Sequence, residues 1–351
     1  MDTKTWPYSS GKESVEYPPL TGLVMWATSL ITPSQNFHWY FLINIFFNAI
    51  LFMLASWMLS RLKPNFWYLL PMTPAVIASL FINWDLWAVV PAIAAIYLFD
   101  QKKYDYSALL LGVAVAAKFF PIVLLAPIAL IFYRRRQLQS AARYAIVFTI
   151  TWLILNAPFF LSTPEGWYQF FKLNSERGAD FGSLWYSLQL LGITLTNLNA
   201  LSILLFLIGL AGFAIYFFGL EFTPRLATVS FTVVAIFTIA SKVYSPQYIL
   251  WLTPLAVIAM SCREERSAFW VWQAGEAMYH FAVWQYLASY SGAKFGLPEK
   301  VYAIFILIRI ATLIWFAARL IQTAKEANGR LEGNTQASGT GFLTDSARGY
   351  S

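Results

Sequence analysis

Apolar runs separated by short polar breaks make up most of the chain. The runs that predict membrane-embedded helices cover residues 38–60, 66–83, 85–100, 106–117, 120–133, 142–160, 199–219, 226–241, 247–262, 267–289 and 300–321. A full crossing takes about 20 residues, so the shorter runs predict half-helices or helices that flanking aromatic residues extend. This pattern predicts an all-α fold, a polytopic integral membrane helical bundle with about 11 spans.

The stretch 106–133 is interrupted in its middle by Lys118 and Pro121. Proline cannot continue a helix interior, because it lacks a backbone N–H and clashes with the preceding turn. Arms of about 12 residues reach only about 18 Å at 1.5 Å per residue. We therefore predict two short helices that pack inside the bundle and meet at Lys118–Pro121. The short Leu20–Thr32 run predicts an interfacial or re-entrant helix.

The composition supports a membrane protein. Hydrophobic residues make up 59% of the chain and charged residues 12%, whereas soluble domains average about 45–50% and about 25%. The net charge of +7 is dispersed over helix ends and does not indicate a nucleic-acid partner. Cys262 is the single cysteine, and His38 and His280 lie far apart, so the sequence predicts no intrachain disulfide, metal site or other cofactor.

The basic residues set the predicted orientation. Most of them lie in short loops on one side of the bundle, as at Arg134–Arg136, and this side is predicted to be cytoplasmic. Residues 1–37 then form an extracytoplasmic segment, and residues 38–322 form the transmembrane domain, whose longest outer loop covers residues 162–197. Residues 323–351 are predicted to be a disordered cytoplasmic tail. The chain is thus predicted to be a multi-pass protein of the plasma membrane.

Four charged residues fall on the predicted outer side near the ends of apolar runs: Asp85, Lys118, Arg177 and Lys242. Charges at membrane depth are costly, and they mark functional sites. Structural roles stay open for three of them. Asp85 at the start of a helix suits an N-cap, and the two lysines suit snorkelling toward the outer headgroups.

The long outer loop mixes aromatic and charged residues, with Trp185 and Tyr186 following Arg177 and Asp180. Aromatic rings stack on the apolar faces of sugars, while charged groups bind hydroxyl or phosphate groups. The loop therefore predicts a sugar site. An interfacial aromatic belt with solvated charges is the alternative.

Six short motifs follow one another along the chain. They are Glu16-Tyr17-Pro18-Pro19-Leu20-Thr21-Gly22, Asn83-Trp84-Asp85, Leu111-Gly112 to Lys118-x-x-Pro121, Glu176-Arg177-Gly178 with Gly182-Ser183-Leu184-Trp185-Tyr186, Lys242-Val243-x-Ser245-Pro246-Gln247-Tyr248, and Glu276-x-x-Tyr279. In this order they resemble glycosyltransferase family 87 of the GT-C superfamily, and the last is similar to a motif of its actinobacterial branch. The resemblance covers residues 14–320.

The resemblance implies a GT-C-like enzyme on the outer face of the plasma membrane, embedded among membrane lipids. Such enzymes move mannose, arabinofuranose or related sugars from a polyprenyl-phosphate donor to a glycan or glycolipid acceptor of the cell envelope. Transfer is expected to be inverting and metal-independent, with Lys118, Lys242 and Arg177 on the donor phosphate. The expected sugar and acceptor contacts are Tyr17, Trp84, Ser183, Trp185, Tyr186, Gln247 and Tyr248.

One feature departs from the family pattern. The family carries its catalytic aspartate in an outer loop that follows a first transmembrane helix and precedes the Pro-Tyr and Tyr-Pro-Pro motifs. Here Trp6-Pro7-Tyr8 follows Met1 closely, so this helix and the aspartate loop are predicted to be missing from a family plan of about 12 spans. Either the start of this sequence lies inside a longer gene, or the chain is truncated and inactive. Asp85 is then the candidate acidic residue of the site.

Glu276 and His280 lie four residues apart and share one helix face inside a predicted span. They predict either a structural pair that reaches Arg309 on the last helix or a proton relay. Two other functions stay open for the chain: a transporter or flippase of lipid-linked precursors, and a non-catalytic accessory protein. Transporters commonly carry inverted repeats, and no internal repeat is evident in the sequence.

Overall fold

The computed structural model describes residues 6–9, 11, 14–33, 36–63 and 65–344, with side chains described as far as residue 326. These residues form fifteen α-helices and two 3-10 turns, at Phe120–Leu124 and Pro246–Tyr248. The helices are α1 (Pro19–Leu30), α2 (Phe37–Leu62), α3 (Leu69–Met72), α4 (Pro74–Ser79), α5 (Leu86–Asp100), α6 (Tyr104–Ala117), α7 (Leu125–Arg134), α8 (Leu138–Ser162), α9 (Pro164–Glu176), α10 (Leu184–Leu190), α11 (Leu198–Gly219), α12 (Leu226–Ala240), α13 (Ile249–Ala259), α14 (Glu265–Tyr290) and α15 (Glu299–Thr344).

Four helices are long and apolar enough to cross a membrane: α2, α8, α11 and the Glu299–Glu326 part of α15. The apolar side chains of α11 are mostly exposed, as expected for a surface that faces lipid. Shorter apolar helices, among them α5, α6, α12 and α13, supply most of the buried core. The prediction of an all-α membrane bundle is confirmed.

Residues 66–83 differ from the single predicted run, because they form the two short helices α3 and α4. Thr73 is extended between them, as expected for a residue that precedes a proline. Pro74 opens α4 at its first position. Helices of four and six residues rise about 6 and 9 Å, which is too short for a crossing.

The break predicted within residues 106–133 is present. The helix α6 ends at Ala117, and Lys118 is extended before the 3-10 turn that leads into α7. On its other side α6 packs closely against α8, because a side chain at Gly112 would come within 2.8 Å of Thr151. The chain therefore leaves α6 at a fixed point in the bundle, and Lys118 stands at that point.

The segment predicted to be the long outer loop, residues 162–197, contains the helices α9 and α10. Between them Gly182 has a φ of +80° and packs against the Tyr244 carbonyl and the Tyr279 hydroxyl, where a side chain would not fit. In the tail predicted to be disordered after residue 322, residues 323–344 belong to the helix α15, and residues 345–351 lie outside the described residues. Disorder of residues 345–351 stays a prediction.

Candidate functional site

A polar cavity of about 530 Å³ opens where the loop before α1, the turn before α5, the break after α6, the end of α9 and the segment after α12 meet. Its lining residues are Glu16, Tyr17, Pro18, Asn83, Lys118, Phe170, Leu173, Asn174, Glu176, Arg177, Val243, Ser245, Gln247 and Tyr248. Five residues predicted for the site are thus brought together: Tyr17, Lys118, Arg177, Gln247 and Tyr248.

A buried ion pair lies beside this cavity. The Lys118 ammonium is 2.7 Å from Oδ1 of Asp85, whose side chain is fully buried. The Trp251 indole N–H donates to the same oxygen, while Oδ2 has no hydrogen-bond partner among the described residues. Asp85 stands at the N-cap position of α5, but its side chain makes no capping hydrogen bond. Its carboxylate instead orients the lysine.

Aromatic rings surround the ammonium group. The rings of Tyr17 and Trp251 each lie 5.6 Å from Lys118 Nζ, within cation–π range. Trp251 is stacked on Phe120 at 3.8 Å and on Tyr248 at 3.6 Å. Burial raises the pKa of Tyr17 to about 12, so its ring stays uncharged at neutral pH. These contacts restrict the lysine to one edge of the cavity.

The end of α9 brings two more basic residues close to the cavity. Arg177 lines it, and its guanidinium pairs with Asp180 at 2.7 Å while staying 53% exposed. Lys242 does not line the cavity. Its ammonium donates to the carbonyls of Asn174 and Arg177, as lysines near helix ends commonly do. The predicted phosphate contact of Lys242 stays a prediction, and its observed partners are backbone groups.

The surroundings of Lys242 predict that the stability of the protein depends on pH in the alkaline range. Burial lowers the pKa of its ammonium, and the Arg177 guanidinium lowers it further. Between that lowered pKa and the ordinary value of 10.5, the unfolded chain binds more protons than the folded one, so this group makes stability rise with pH. We expect the melting temperature of the wild type to rise relative to Lys242→Met across this alkaline window. Equal pH slopes in the two proteins would contradict the burial of this ammonium.

A fully buried ion pair supports the segment after α12. Nε of Arg309 lies 2.8 Å from Oε2 of Glu276. The guanidinium also donates to the carbonyls of Tyr244 at 2.7 Å and Ser245 at 3.2 Å. The Tyr244 hydroxyl donates to Glu276 at 2.8 Å. The structural contact predicted between Glu276 and Arg309 is thus formed, and it fixes the backbone next to the cavity.

His280 helps to hold one more residue of this segment, Pro246, through Ser79. Its Nε2 lies 2.6 Å from the hydroxyl of Ser79, which donates to the Pro246 carbonyl at 3.3 Å. Its Nδ1 lies 2.8 Å from the Glu276 carbonyl. Together with the arginine, these bonds hold the three successive carbonyls that precede Gln247. The proton-relay alternative for His280 stays a prediction.

Three predicted sugar contacts lie at the start of α10, where Ser183 and Trp185 are buried and Tyr186 is partly buried. Ser183 caps this helix by accepting the N–H of Tyr186, and the Trp185 indole donates to the Ala240 carbonyl at 2.8 Å. The Tyr186 hydroxyl is 2.8 Å from that of Tyr286. None of the three predicted residues lines the cavity. Their observed contacts are capping and packing, and their sugar contacts stay predictions.

Trp84 lies behind the cavity wall. Its indole N–H donates to Asn44 at 2.7 Å, and its ring packs edge-on against Tyr17 at 5.6 Å. It does not line the cavity. Through Tyr17 it supports the wall, and its own sugar contact stays a prediction.

Sequence reasoning missed several residues in or next to the cavity. Glu16 and Asn83 belong to two of the six motifs. Their polar side chains could have predicted that they line the site. Trp251 follows Tyr248 by three residues, so both lie on one helix face. This spacing could have predicted that Trp251 lies next to the cavity. Asn174 lies within an amphipathic helix, where only the fold decides which polar positions turn inward.

An apolar groove of about 470 Å³ adjoins the polar cavity. It is lined by Val115, Phe119, Ile122, Phe148, Thr149, Trp152, Trp167, Tyr168 and Phe171. The two spaces meet at neighbouring residues on both walls. Lys118 and Phe170 line the cavity, and Phe119 and Phe171 line the groove. The helix α9 thus separates a charged space from an apolar one.

No family model and no curated protein matches the chain. Among solved structures, the chain is similar to the crystal structure of ArnT from Cupriavidus metallidurans bound to undecaprenyl phosphate. The sequence identity is 14% and the TM-score is 0.43, and the match covers 87% of this chain and 68% of that chain. At this TM-score the similarity assigns neither fold nor function.

Proposed function

We propose that this protein is a membrane glycosyltransferase that takes a sugar from a polyprenyl-phosphate donor. The observation that carries the proposal is the junction at Lys118 and Phe119, where a polar cavity with an ammonium group adjoins an apolar groove. The charged phosphate of a lipid phosphate suits the polar cavity, and its hydrocarbon chain suits the apolar groove. The motifs that resemble glycosyltransferase family 87 point to the same class.

The phosphate would bind at Lys118. Hydrogen bonds between an ammonium group and a phosphate are charge-assisted and stronger than neutral ones. Asp85 acts here as a positioning residue, because it holds the ammonium at the cavity edge while staying outside the cavity. Arg177 supplies a second cation. Lys242 would join only if its ammonium left the two carbonyls that it now contacts.

The sugar would bind deeper in the polar cavity. Asn83, Asn174 and Gln247 line it, and amide groups both donate and accept hydrogen bonds from hydroxyls. The rings of Tyr17 and Tyr248 offer faces for the apolar side of a sugar. Mannose and arabinofuranose both suit this set of groups.

The reaction would be an inverting, metal-independent transfer. An acceptor hydroxyl attacks the anomeric carbon on the side opposite the phosphate, and the phosphate leaves toward Lys118 and Arg177. Fixed cations that face the developing charge lower the barrier without reorganising during the reaction. The acceptor would be a cell-envelope glycan or glycolipid on the extracytoplasmic face, which is the side that the basic loops predict for this end of the bundle.

Ligand binding by the purified full chain in lipid nanodiscs tests the proposal. Polyprenyl phosphate is expected to bind about 10- to 100-fold more tightly than the matching polyprenol, since a hydrogen bond to a charged group contributes about 1.5–3 kcal/mol. Inorganic phosphate is the second control, and it lacks the chain that the groove would bind. Equal affinity for the phosphate and the alcohol would contradict the proposal.

Transfer is measured next with polyprenyl-phosphate mannose and polyprenyl-phosphate arabinofuranose as donors and octyl α-mannoside as the acceptor. Formation of a longer glycoside from one of the two donors is expected. Binding of polyprenyl phosphate without transfer from either donor would favour a carrier of lipid-linked precursors over an enzyme.

A further inference from the structure

Inverting transfer needs a carboxylate that faces the bound sugar and accepts a proton from the acceptor hydroxyl. Two aspartates near the cavity are engaged elsewhere. Asp85 is fully buried and holds Lys118, and Asp180 holds the guanidinium of Arg177. Neither aspartate lines the cavity, so neither is placed to receive that proton.

Glu16 and Glu176 are the carboxylates that line the cavity in the described part of the chain. Both carboxylates are exposed, and Glu176 pairs with Lys172 at 3.9 Å. It is also the last residue of α9, where the helix dipole disfavours a negative charge. Glu16 forms no ion pair with any described residue. Its carboxylate therefore keeps lone pairs for a ligand in the cavity.

Two hydrogen bonds fix the segment that carries Glu16. The Tyr8 hydroxyl donates to the Tyr17 carbonyl at 2.7 Å. In the first turn of α1, the Thr21 hydroxyl donates to the Ala117 carbonyl at 2.6 Å and ties α1 to the last residue of α6. The segment is thus held against the break after α6, where the phosphate would bind. Reacting groups that the fold holds in place need no reorganisation before reaction.

We infer that Glu16 is the general base that activates the acceptor. This inference rests on the proposed function. The acceptor oxygen forms a bond to the anomeric carbon as its proton passes to the Glu16 carboxylate. The bond between the anomeric carbon and the phosphate oxygen breaks, and the phosphate leaves with the electron pair toward Lys118.

A matched pair of variants tests this role in the full chain, with the donors and acceptor named above. Glu16→Gln is expected to lower kcat about 100-fold or more, because a general base contributes about 10²–10⁴-fold. Its affinity for polyprenyl phosphate and its melting temperature should match the wild type. Glu299→Gln removes the same charge from an exposed position outside the cavity and should keep kcat within about threefold, since it removes no proton acceptor from the reaction.

The pH profile separates a base from a structural carboxylate. The wild type should lose kcat at acidic pH as its base becomes protonated; Glu16→Gln should lack this limb, and Glu16→Asp should retain it at a lower rate. Unchanged kcat in Glu16→Gln, an equal loss in Glu299→Gln, or lost affinity for polyprenyl phosphate in Glu16→Gln would each overturn the role of Glu16. A wild type that transfers neither sugar would instead overturn the proposed function, and the base with it.

Discussion

Lys118→Met is expected to lose affinity for polyprenyl phosphate and to lower the free energy of unfolding by about 3–5 kcal/mol. Affinity falls because the proposed phosphate ligand is gone. Stability falls because the Asp85 carboxylate, which is fully buried, loses its counter-ion and keeps the Trp251 N–H as its one partner among the described residues. Equilibrium binding in nanodiscs and denaturant unfolding in detergent measure the two effects separately.

A second variant separates function from folding. Combining Lys118→Met with Asp85→Asn removes both charges, and stability should return to within about 1 kcal/mol of the wild type, since neutral replacements of a buried pair are often close to neutral. Binding of polyprenyl phosphate should stay lost. Lys172→Met is the matched control, because that lysine is 40% exposed and its ion pair is long. Wild-type affinity in the stable double variant would remove Lys118 from the site.

The sequence predicted which segments meet, because each motif combines polar residues with an apolar run whose end it marks. Lys118, Arg177 and Gln247 line one cavity although long stretches of chain separate them. It could not predict which side chains turn inward. Ser183 and Trp185 stand in the same motif-rich loop, yet helix capping and a carbonyl of α12 take up their polar groups. Spacing carries no information on such local competition for hydrogen bonds.

The prolines of the run 66–83 predict breaks in its helix, and one break is present at Thr73, directly before Pro74. Proline restricts the residue before it and removes a backbone donor. Pro71, in contrast, stands inside the short helix α3. The break at Lys118 was predictable because a charge accompanies the proline at Pro121. Charge and proline together mark a helix end more clearly than proline alone.

Glu276→Gln is expected to destabilise the protein by about 3–5 kcal/mol, because it leaves Arg309 as a buried charge without its counter-ion. Both side chains are fully buried, so water cannot compensate for the loss. Glu299→Gln at the start of α15 is the control. That residue is exposed, and loss of its helix-dipole interaction costs about 0.3–1 kcal/mol. Denaturant unfolding and the yield of folded protein measure both changes.

The same pair distinguishes a structural role from a proton relay. If Glu276 belongs to a proton relay, Glu276→Gln should be stable but inactive. If Glu276 belongs to a structural pair, the variant should lose stability. Glu276→Gln combined with Arg309→Met should recover much of the stability, since no charge is left buried. The carbonyls of Tyr244 and Ser245 would still lack their donor. The Val243–Tyr248 wall of the cavity should then loosen, so the double variant is expected to fold but to show a higher KM for the donor. Wild-type KM in that variant would show that the arginine supports the fold without shaping the cavity.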